Sequence, residues 1–251
     1  MATLALVLLA WSATPAQAQD REEFQIWAAN LGTASLSREA PSFVFWWDVH
    51  ARRGDGGTTV LVRPGLGVDI TPWLSVHGGY AWIPVHTDST GASTNEHRIW
   101  EQVVLSHGFD FGLSLQSRTR FEQRFSDQGG DVQLRFRQFV RANWQPSPDV
   151  PLGIAFWDEL FVGLTDTDWG PVAGMDQNRA FLGPFLKMAP WARLEAGYLF
   201  VYLDRGTADT YAHVLAVNLF VSWSPPAPVT PEGDGSSASP GAFGTGARSA
   251  R

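Results

Sequence analysis

Polar and apolar side chains alternate along most of this chain, and the alternation is clearest between residues 118 and 141. In residues 118–125 every second side chain is charged, and Phe121 and Phe125 lie between the charged positions. Residues 132–141 show a similar pattern, with arginines on the polar side. Successive side chains of a strand point to opposite faces, so both segments are predicted to be strands with one charged and one apolar face. Such a pair is typical of a barrel with a wet interior.

Similar segments, separated by turn signals, occupy the chain from residue 20 to 223. Most are roughly eleven to fifteen residues long, whereas soluble strands have about 5–6 residues and tilted membrane-spanning strands need about 9–11. We therefore predict an all-β chain that forms an antiparallel up-and-down transmembrane β-barrel of about 10–12 strands. The predicted strands are 23–35, 41–53, 58–69, 73–86, 96–108, 112–126, 131–145, 151–165, 177–189, 191–204 and 211–223.

The connections between these strands predict an orientation. Tight turns are predicted at 70–72, 109–111 and 188–190, and longer polar loops at 87–95, 126–130, 166–176 and 205–210. Short turns at one end and longer loops at the other are typical of outer-membrane barrels, so the tight turns are assigned to the periplasmic end. Because successive strands alternate in direction, this assignment makes segment 23–35 start at the outer end of the barrel, away from the periplasm. Two alternatives follow: the segment lies partly inside the barrel, or a strand has been missed or split.

The two ends of the chain differ in composition from the predicted barrel. Residues 1–18 have an apolar core from Leu4 to Trp11 and a small-x-small motif at 16–18, the pattern of a secretory signal peptide. Residues 224–251 are rich in Pro, Gly and Ser and are predicted to be a disordered tail. The predicted domains are therefore a signal peptide at 1–18, a barrel at 20–223 and the tail at 224–251.

Composition narrows the location and the partners. The chain has no cysteine, which excludes disulfides and thiolate metal sites, and no apolar run long enough for a membrane-spanning helix. For an exported chain the remaining locations are the periplasm, the cell surface and the outer membrane of a Gram-negative bacterium. The strand lengths favour the outer membrane. A net charge of −7 argues against nucleic acid as a partner. No cofactor is predicted, and small anions are the soluble partners that the local arginines favour.

The last predicted strand has a pattern that a partner protein could recognise. Leu215, Val217, Leu219 and Val221 alternate with other residues, and the strand ends on Trp223. This resembles the C-terminal signal that the barrel insertion machinery reads in outer-membrane barrels, although here a tail follows it. Outer-membrane lipid and the insertion machinery are therefore the expected partners of the outer face and the terminal strand.

Six short segments, in order along the chain, resemble the signature of an uncharacterised bacterial family, domain of unknown function 2490. They are NEHRIWEQ at 95–102, RTRFEQRF at 118–125, RFR at 135–137, DELF at 158–161, DQNR at 176–179 and EAGY at 195–198. The resemblance covers roughly Phe24 to Trp223. It implies an exported outer-membrane β-barrel, and it implies no activity.

The charged side chains of the strands are predicted to face the lumen. On the lipid side each Arg or Lys at mid-depth would cost about 2–4 kcal/mol, and several together would exceed an ordinary net stability of about 5–15 kcal/mol. The predicted lumen charge network consists of Arg98, Arg118, Arg120, Glu122, Arg124, Arg135, Arg137, Arg141, Glu159, Arg179, Arg193 and Glu195.

This network suits two uses, which are not exclusive. Arginine–carboxylate pairs can fill a narrow lumen and fix the strand register, which makes the barrel structural. Alternatively, because arginines outnumber carboxylates, the lumen is a narrow porin-like pore with a basic wall that favours anions. The structural use is favoured.

Two other classes remain as alternatives: a lipid-modifying or hydrolytic barrel enzyme, and a soluble periplasmic barrel that binds a small ligand. The sequence argues against an enzyme. The adjacent Ser106 and His107 point to opposite faces of a strand, and the histidines show no metal-binding spacing. Glu122 and Glu159 lie among arginines, where both are expected to stay ionised and to form salt bridges. We therefore predict no catalytic residues and no metal site.

Overall fold

The computed structural model describes residues 20–39, 41–206 and 208–225, and these residues form a closed β-barrel. Within these ranges no helix has the length and apolar character needed to cross a membrane. The predicted signal peptide and all but the first two residues of the predicted tail lie outside the described residues. The strands are β1 (Arg21–Ser35), β2 (Ser42–Gly54), β3 (Gly57–Thr71), β4 (Leu74–Thr87), β5 (Ser93–Gly108), β6 (Leu113–Ser126), β7 (Gln133–Trp144), β8 (Leu152–Gly163), β9 (Gly174–Ala189), β10 (Ala192–Leu203) and β11 (Thr210–Trp223).

The alternation in the sequence corresponds to two distinct faces of the wall. Large apolar side chains cover the outer face; Phe43 and Leu66 are each 70% exposed, Leu182 is 57% exposed and Leu215 is 55% exposed. On β6 and β7 the charged residues occupy the alternate positions that point inwards, and most of them are buried. An apolar outer band around a polar interior is the arrangement of a membrane-spanning barrel, so the predicted fold class is confirmed.

The barrel closes through one parallel pair, which the prediction of a wholly antiparallel barrel did not include. Arg21 lies opposite Thr210 and Ala34 lies opposite Trp223, so β1 and β11 run in the same direction. Consecutive strands are antiparallel, and with an odd number of them the first and last must point the same way. Both alternatives given for segment 23–35 are wrong, because β1 forms part of the wall and no additional strand separates it from β11 in the described residues.

The connections at the two ends of the barrel differ less in length than the sequence predicts. One end, which we call the short-turn end, carries the two-residue turns Pro72–Trp73 and Pro190–Trp191. The other, the long-loop end, carries a ten-residue connection at 164–173 but also the two-residue turn Asp55–Gly56. That Asp-Gly turn joins two strands paired up to Gly54 and Gly57, as hairpins of this sequence commonly do. The remaining connections are 36–41, 109–112 and 145–151 at the short-turn end, and 88–92, 127–132 and 204–209 at the long-loop end.

Close packing inside the wall depends on glycine at a few positions. The Trp100 ring, which is 1% exposed, lies against the inner surface of β3 and β4. A Cβ at Gly79 would lie 2.3 Å from the Pro64 carbonyl oxygen and 2.7 Å from Trp100 Cζ2. Glycine at this position therefore lets the indole ring lie flat on the wall.

Candidate functional site

Glu122 of β6 lies at the centre of the interior charges. Its side chain is 1% exposed and accepts a hydrogen bond from Arg135 Nε at 3.1 Å and from Arg98 Nη1 at 3.4 Å. Arg137 also donates to Glu122, and Arg120 Nη1 lies 3.7 Å from its Oε1. Register explains this convergence, because Glu122 lies directly opposite Arg135 on β7. One carboxylate therefore links three neighbouring strands.

Glu159 of β8 extends the same network. Its Oε1 accepts hydrogen bonds from Arg118 Nη2 at 2.7 Å and from Arg137 Nη2 at 2.7 Å. Arg137 therefore lies between Glu122 and Glu159 and donates to both. Two carboxylates that share a guanidinium form a charge-assisted pair of hydrogen bonds, which is the geometry of a salt-bridge network.

Further polar groups complete the network towards the long-loop end. Arg98 Nε and Arg124 Nη2 donate to Glu96 at 2.6 and 2.9 Å, and Arg135 Nη1 donates to Asp176 at 3.1 Å. We call this network the charged belt. It comprises Glu96, Arg98, Gln102, Arg118, Arg120, Glu122, Arg124, Gln133, Arg135, Arg137, Glu159 and Asp176.

Two smaller charge clusters adjoin the charged belt, and the arginine of one of them lies 4.0 Å from the belt's central carboxylate. Arg141 of β7 and Arg193 of β10 both contact the Glu195 carboxylate, which is 0% exposed. On the opposite side of the barrel, Arg63 Nη1 donates to Asp48 Oδ2 at 3.0 Å. Each buried carboxylate in these clusters therefore has a cation beside it, as burial of charge requires.

The structure places all the residues of the predicted lumen network on the inner face of the barrel. Eight of the predicted residues belong to the charged belt, and Arg141, Arg193 and Glu195 form a separate cluster. Arg179 lines the cavity described next. The prediction omitted Asp48, Glu96 and Asp176, which also lie inside. Asp48, His50 and Arg52 alternate within predicted strand 41–53, so the period of two was available as a signal for them.

A cavity of about 980 Å³ occupies the part of the lumen that the belt does not fill. At the short-turn end it is lined by Arg38, Trp73 and Trp191, and it extends inwards to Arg52 and Arg179. None of the described residues in the connections at the long-loop end lines the cavity. The cavity is therefore a cup that opens at the short-turn end.

Two loops cover the belt at the long-loop end. Asp168 accepts hydrogen bonds from the backbone N–H groups of Gly130 at 2.9 Å and Asp131 at 3.1 Å, and Trp169 Nε1 donates to the Asp131 carbonyl at 2.9 Å. These backbone donors hold the pKa of Asp168 below its ordinary value. The Trp169 ring lies 5.1 Å from the Arg124 guanidinium carbon, so the tied loops rest on the belt.

The adjacent Ser106 and His107 lie on opposite faces of β5. Ser106 lines the cavity and accepts a hydrogen bond from Gln116 Nε2 at 3.4 Å, whereas His107 packs edge-on against Phe109 at 4.6 Å. The two side chains do not form a nucleophile–base pair in this arrangement.

Comparison with known proteins gives a family and several distant structures. The family model described as "Protein of unknown function (DUF2490)" matches residues 24–212. An uncharacterised protein of Methylorubrum extorquens is 32% identical over 234 residues, which is 88% of this chain and 96% of that protein.

Three solved structures are similar in fold at low sequence identity. A loop-deletion mutant of OmpT, an outer membrane protein of Vibrio cholerae, gives a TM-score of 0.41 at 15% identity, over 67% of this chain and 59% of that chain. The NanC porin gives 0.45 at 11% identity, over 74% of this chain and 93% of that chain. LpxR from Salmonella typhimurium gives 0.42 at 9% identity, over 71% of this chain and 83% of that chain.

Proposed function

The chain belongs to the family of proteins of unknown function DUF2490, and we propose that it is an outer-membrane β-barrel whose charged belt closes the lumen and fixes the register of the wall. The burial of the belt carries the proposal. Arg120 and Gln133 are 0% exposed and Glu122 is 1% exposed, so water does not reach the side chains at its centre. We therefore expect no continuous aqueous path through the lumen.

The contacts of the belt support a structural role. Glu122 receives guanidinium groups from β5 and β7, and Glu159 receives them from β6 and β7. A one-residue slip of any of these strands would turn the inner side chains towards lipid and separate the pairs. The buried charges therefore specify one alignment of β5 to β8, because an unpaired buried charge is strongly destabilising.

The outer surface supports the proposed location. An apolar band faces outwards, and Trp73, Trp191 and Trp223, each 50% exposed or more, lie at the short-turn rim. Aromatic side chains at a rim suit the interface between lipid and water. We assign the short-turn end to the periplasm, lipid to the outer face and the insertion machinery to β11. The proposal includes no catalytic role and no cofactor.

A second candidate function is a narrow anion pore. It is favoured by the cup that opens at the short-turn end and by the excess of arginine over carboxylate along it. In that case the belt would have to rearrange for ions to pass.

Planar-bilayer conductance of the purified full-length protein separates the two candidates. We expect no steady current from the wild-type barrel, because the belt excludes water. The double variant Arg120→Ala/Arg137→Ala should admit a current that favours anions, while Arg53→Ala at the exposed rim should stay silent. A steady wild-type current would overturn the closed barrel and establish the pore.

A further inference from the structure

Two inner arginines differ from the others in having no carboxylate partner. Among the inward-facing arginines of the described strands, Arg52 and Arg179 are the ones without a carboxylate oxygen within 4.0 Å. Arg179 Nη2 donates only to the Gln177 side chain, at 2.9 Å. The Nε atoms of both arginines are buried without a hydrogen-bond acceptor. Both side chains line the cup.

The carboxylates nearest to these arginines are already engaged. Glu159 lies directly opposite Arg179 in the register of β8 and β9, but its Oε1 accepts from Arg118 and Arg137. Asp48 lies four residues before Arg52 on β2, and its carboxylate already contacts His50 and Arg63. The lumen therefore leaves positive charge uncompensated at Arg52 and Arg179, and that charge faces a cavity large enough for a ligand.

Both guanidinium groups lie against one indole ring. Arg52 is directly opposite Trp27 in the pairing of β1 and β2, and its guanidinium carbon lies 4.0 Å from the ring centroid. The Arg179 guanidinium carbon lies 5.0 Å from the same ring. Arg179 reaches Trp27 from β9 across β10 and β11, where the small Val201 and Ala212 leave room for it. The stacking holds both cations in place without neutralising them.

One wall of the cup beside these groups is apolar, while polar residues such as His50 and Glu159 line other parts of it. Trp157, Leu199 and Ala216 line this wall. Leu199 and Ala216 belong to one buried apolar cluster with Trp27, and the partly buried Trp157 packs against that cluster. A cavity with an apolar wall and a few convergent polar groups is the usual form of a small-molecule site. A bare inorganic anion would leave that wall wet, and a neutral apolar molecule would leave the two cations unpaired.

We propose that Arg52, Arg179 and Trp27 form a binding site for an organic anion that has one carboxylate, sulfonate or phosphate group and an apolar body. The acidic group lies between the two guanidinium groups and the apolar body lies on the wall at Leu199. This goes beyond the proposed function, because a barrel closed by its charged belt needs no ligand. The ligand enters at the short-turn end, where the cup opens.

Calorimetric titration of the full-length protein in lipid nanodiscs tests the site. The probes are 2-naphthoate, its neutral analogue 2-naphthalenemethanol, and inorganic phosphate. We expect 2-naphthoate to bind at least ten times more tightly than either of the other probes, with an affinity that falls as salt is raised. In Arg52→Gln/Arg179→Gln the affinity for 2-naphthoate should fall at least tenfold, whereas Arg53→Gln, one residue away on the outer face, should bind like the wild type.

Several outcomes would overturn the site: undiminished binding in the double variant, equal binding of the neutral analogue, or binding of inorganic phosphate as tight as that of 2-naphthoate. If the double variant does not fold, Arg52→Gln alone gives the same test, because the Arg52 side chain makes no hydrogen bond within the described residues. Conductance reports on the belt separately. A silent barrel that binds no 2-naphthoate overturns only the site, and a conducting barrel that binds it overturns only the closure.

Discussion

The two sides of the lumen are built from the same alternation but carry opposite chemistry. On β5 to β8 the inner positions hold the charged belt. In the halves of β10 and β11 nearer the long-loop end, the inner positions hold Leu199, Val201, Ala212, Val214 and Ala216, each 1% exposed. Long side chains from one side therefore fill space that small side chains on the other side leave open. The lumen is filled from one side, and the remaining volume becomes the cup.

The largest expected effect comes from removing the central charge of the belt. Glu122→Gln keeps the shape but leaves Arg135 and Arg137 without their shared carboxylate, and we expect a loss of about 3–5 kcal/mol or failure to fold. Urea unfolding in lipid vesicles, followed by tryptophan fluorescence, measures it.

The matched control for this change is Glu101→Gln on β5, whose side chain is exposed on the outer face. It should cost no more than about 0.5 kcal/mol, since it contributes nothing to the belt. If Glu122→Gln were as mild as its control, the belt would not be what holds the wall.

A smaller effect is expected where an aromatic ring rather than a charge fills the lumen. Gly79→Ala places a methyl group against the Pro64 carbonyl and the Trp100 ring, and we expect a loss of about 1–3 kcal/mol in the same unfolding measurement. Gly78→Ala on the opposite face meets its nearest neighbour, the Trp100 carbonyl, at 3.4 Å, and should be close to neutral. Equal costs at the two glycines would mean that the ring does not need the close approach.

The smallest effect is expected at the loops above the belt. The lowered pKa of Asp168 means that its hydrogen bonds contribute stability above the ordinary carboxyl pKa, and that this contribution is lost as the pH falls through the lowered value. Acid should therefore release the loop at 164–173. Pepsin should cleave this loop faster at a pH below the lowered pKa of Asp168 than at a pH above it, while the barrel stays folded at both.

Asp168→Asn weakens the same tie at neutral pH. Thermolysin should then cut before the exposed Val172 faster than in the wild type, with an unchanged unfolding midpoint. Asp149→Asn at the opposite end of the barrel is the control. Unchanged cleavage in Asp168→Asn would show that the loop is held by other contacts.

Much of the barrel follows from the sequence, because a strand with a buried inner face has a strict period of two. Predicted strand 41–53 is observed at Ser42–Gly54, and predicted strand 211–223 at Thr210–Trp223. The inner position of Arg120 and Glu122 follows from the same period and from the cost of placing charge in lipid.

The parallel closure and the partner of each charge do not follow from the period. Which strand closes on β1 depends on the number of strands, and one strand more would have made the closing pair antiparallel. The unpaired state of Arg179 depends on Arg118 and Arg137, which reach Glu159 from two other strands. Such competition for one carboxylate depends on side-chain reach across the lumen, which alternation along a strand does not encode.

The parallel pairing of β1 with β11 separates the two ends of the described chain. Asp20 lies at the long-loop end, where its carboxylate accepts a hydrogen bond from the Asp209 backbone, and Pro225 lies at the short-turn end beside Arg38. In a membrane that contains the barrel in one orientation, an epitope placed before Arg21 and one placed after Trp223 would be accessible to antibody from opposite sides. A barrel of this kind carries one terminus to each compartment, whereas an even-stranded barrel keeps both on the same side.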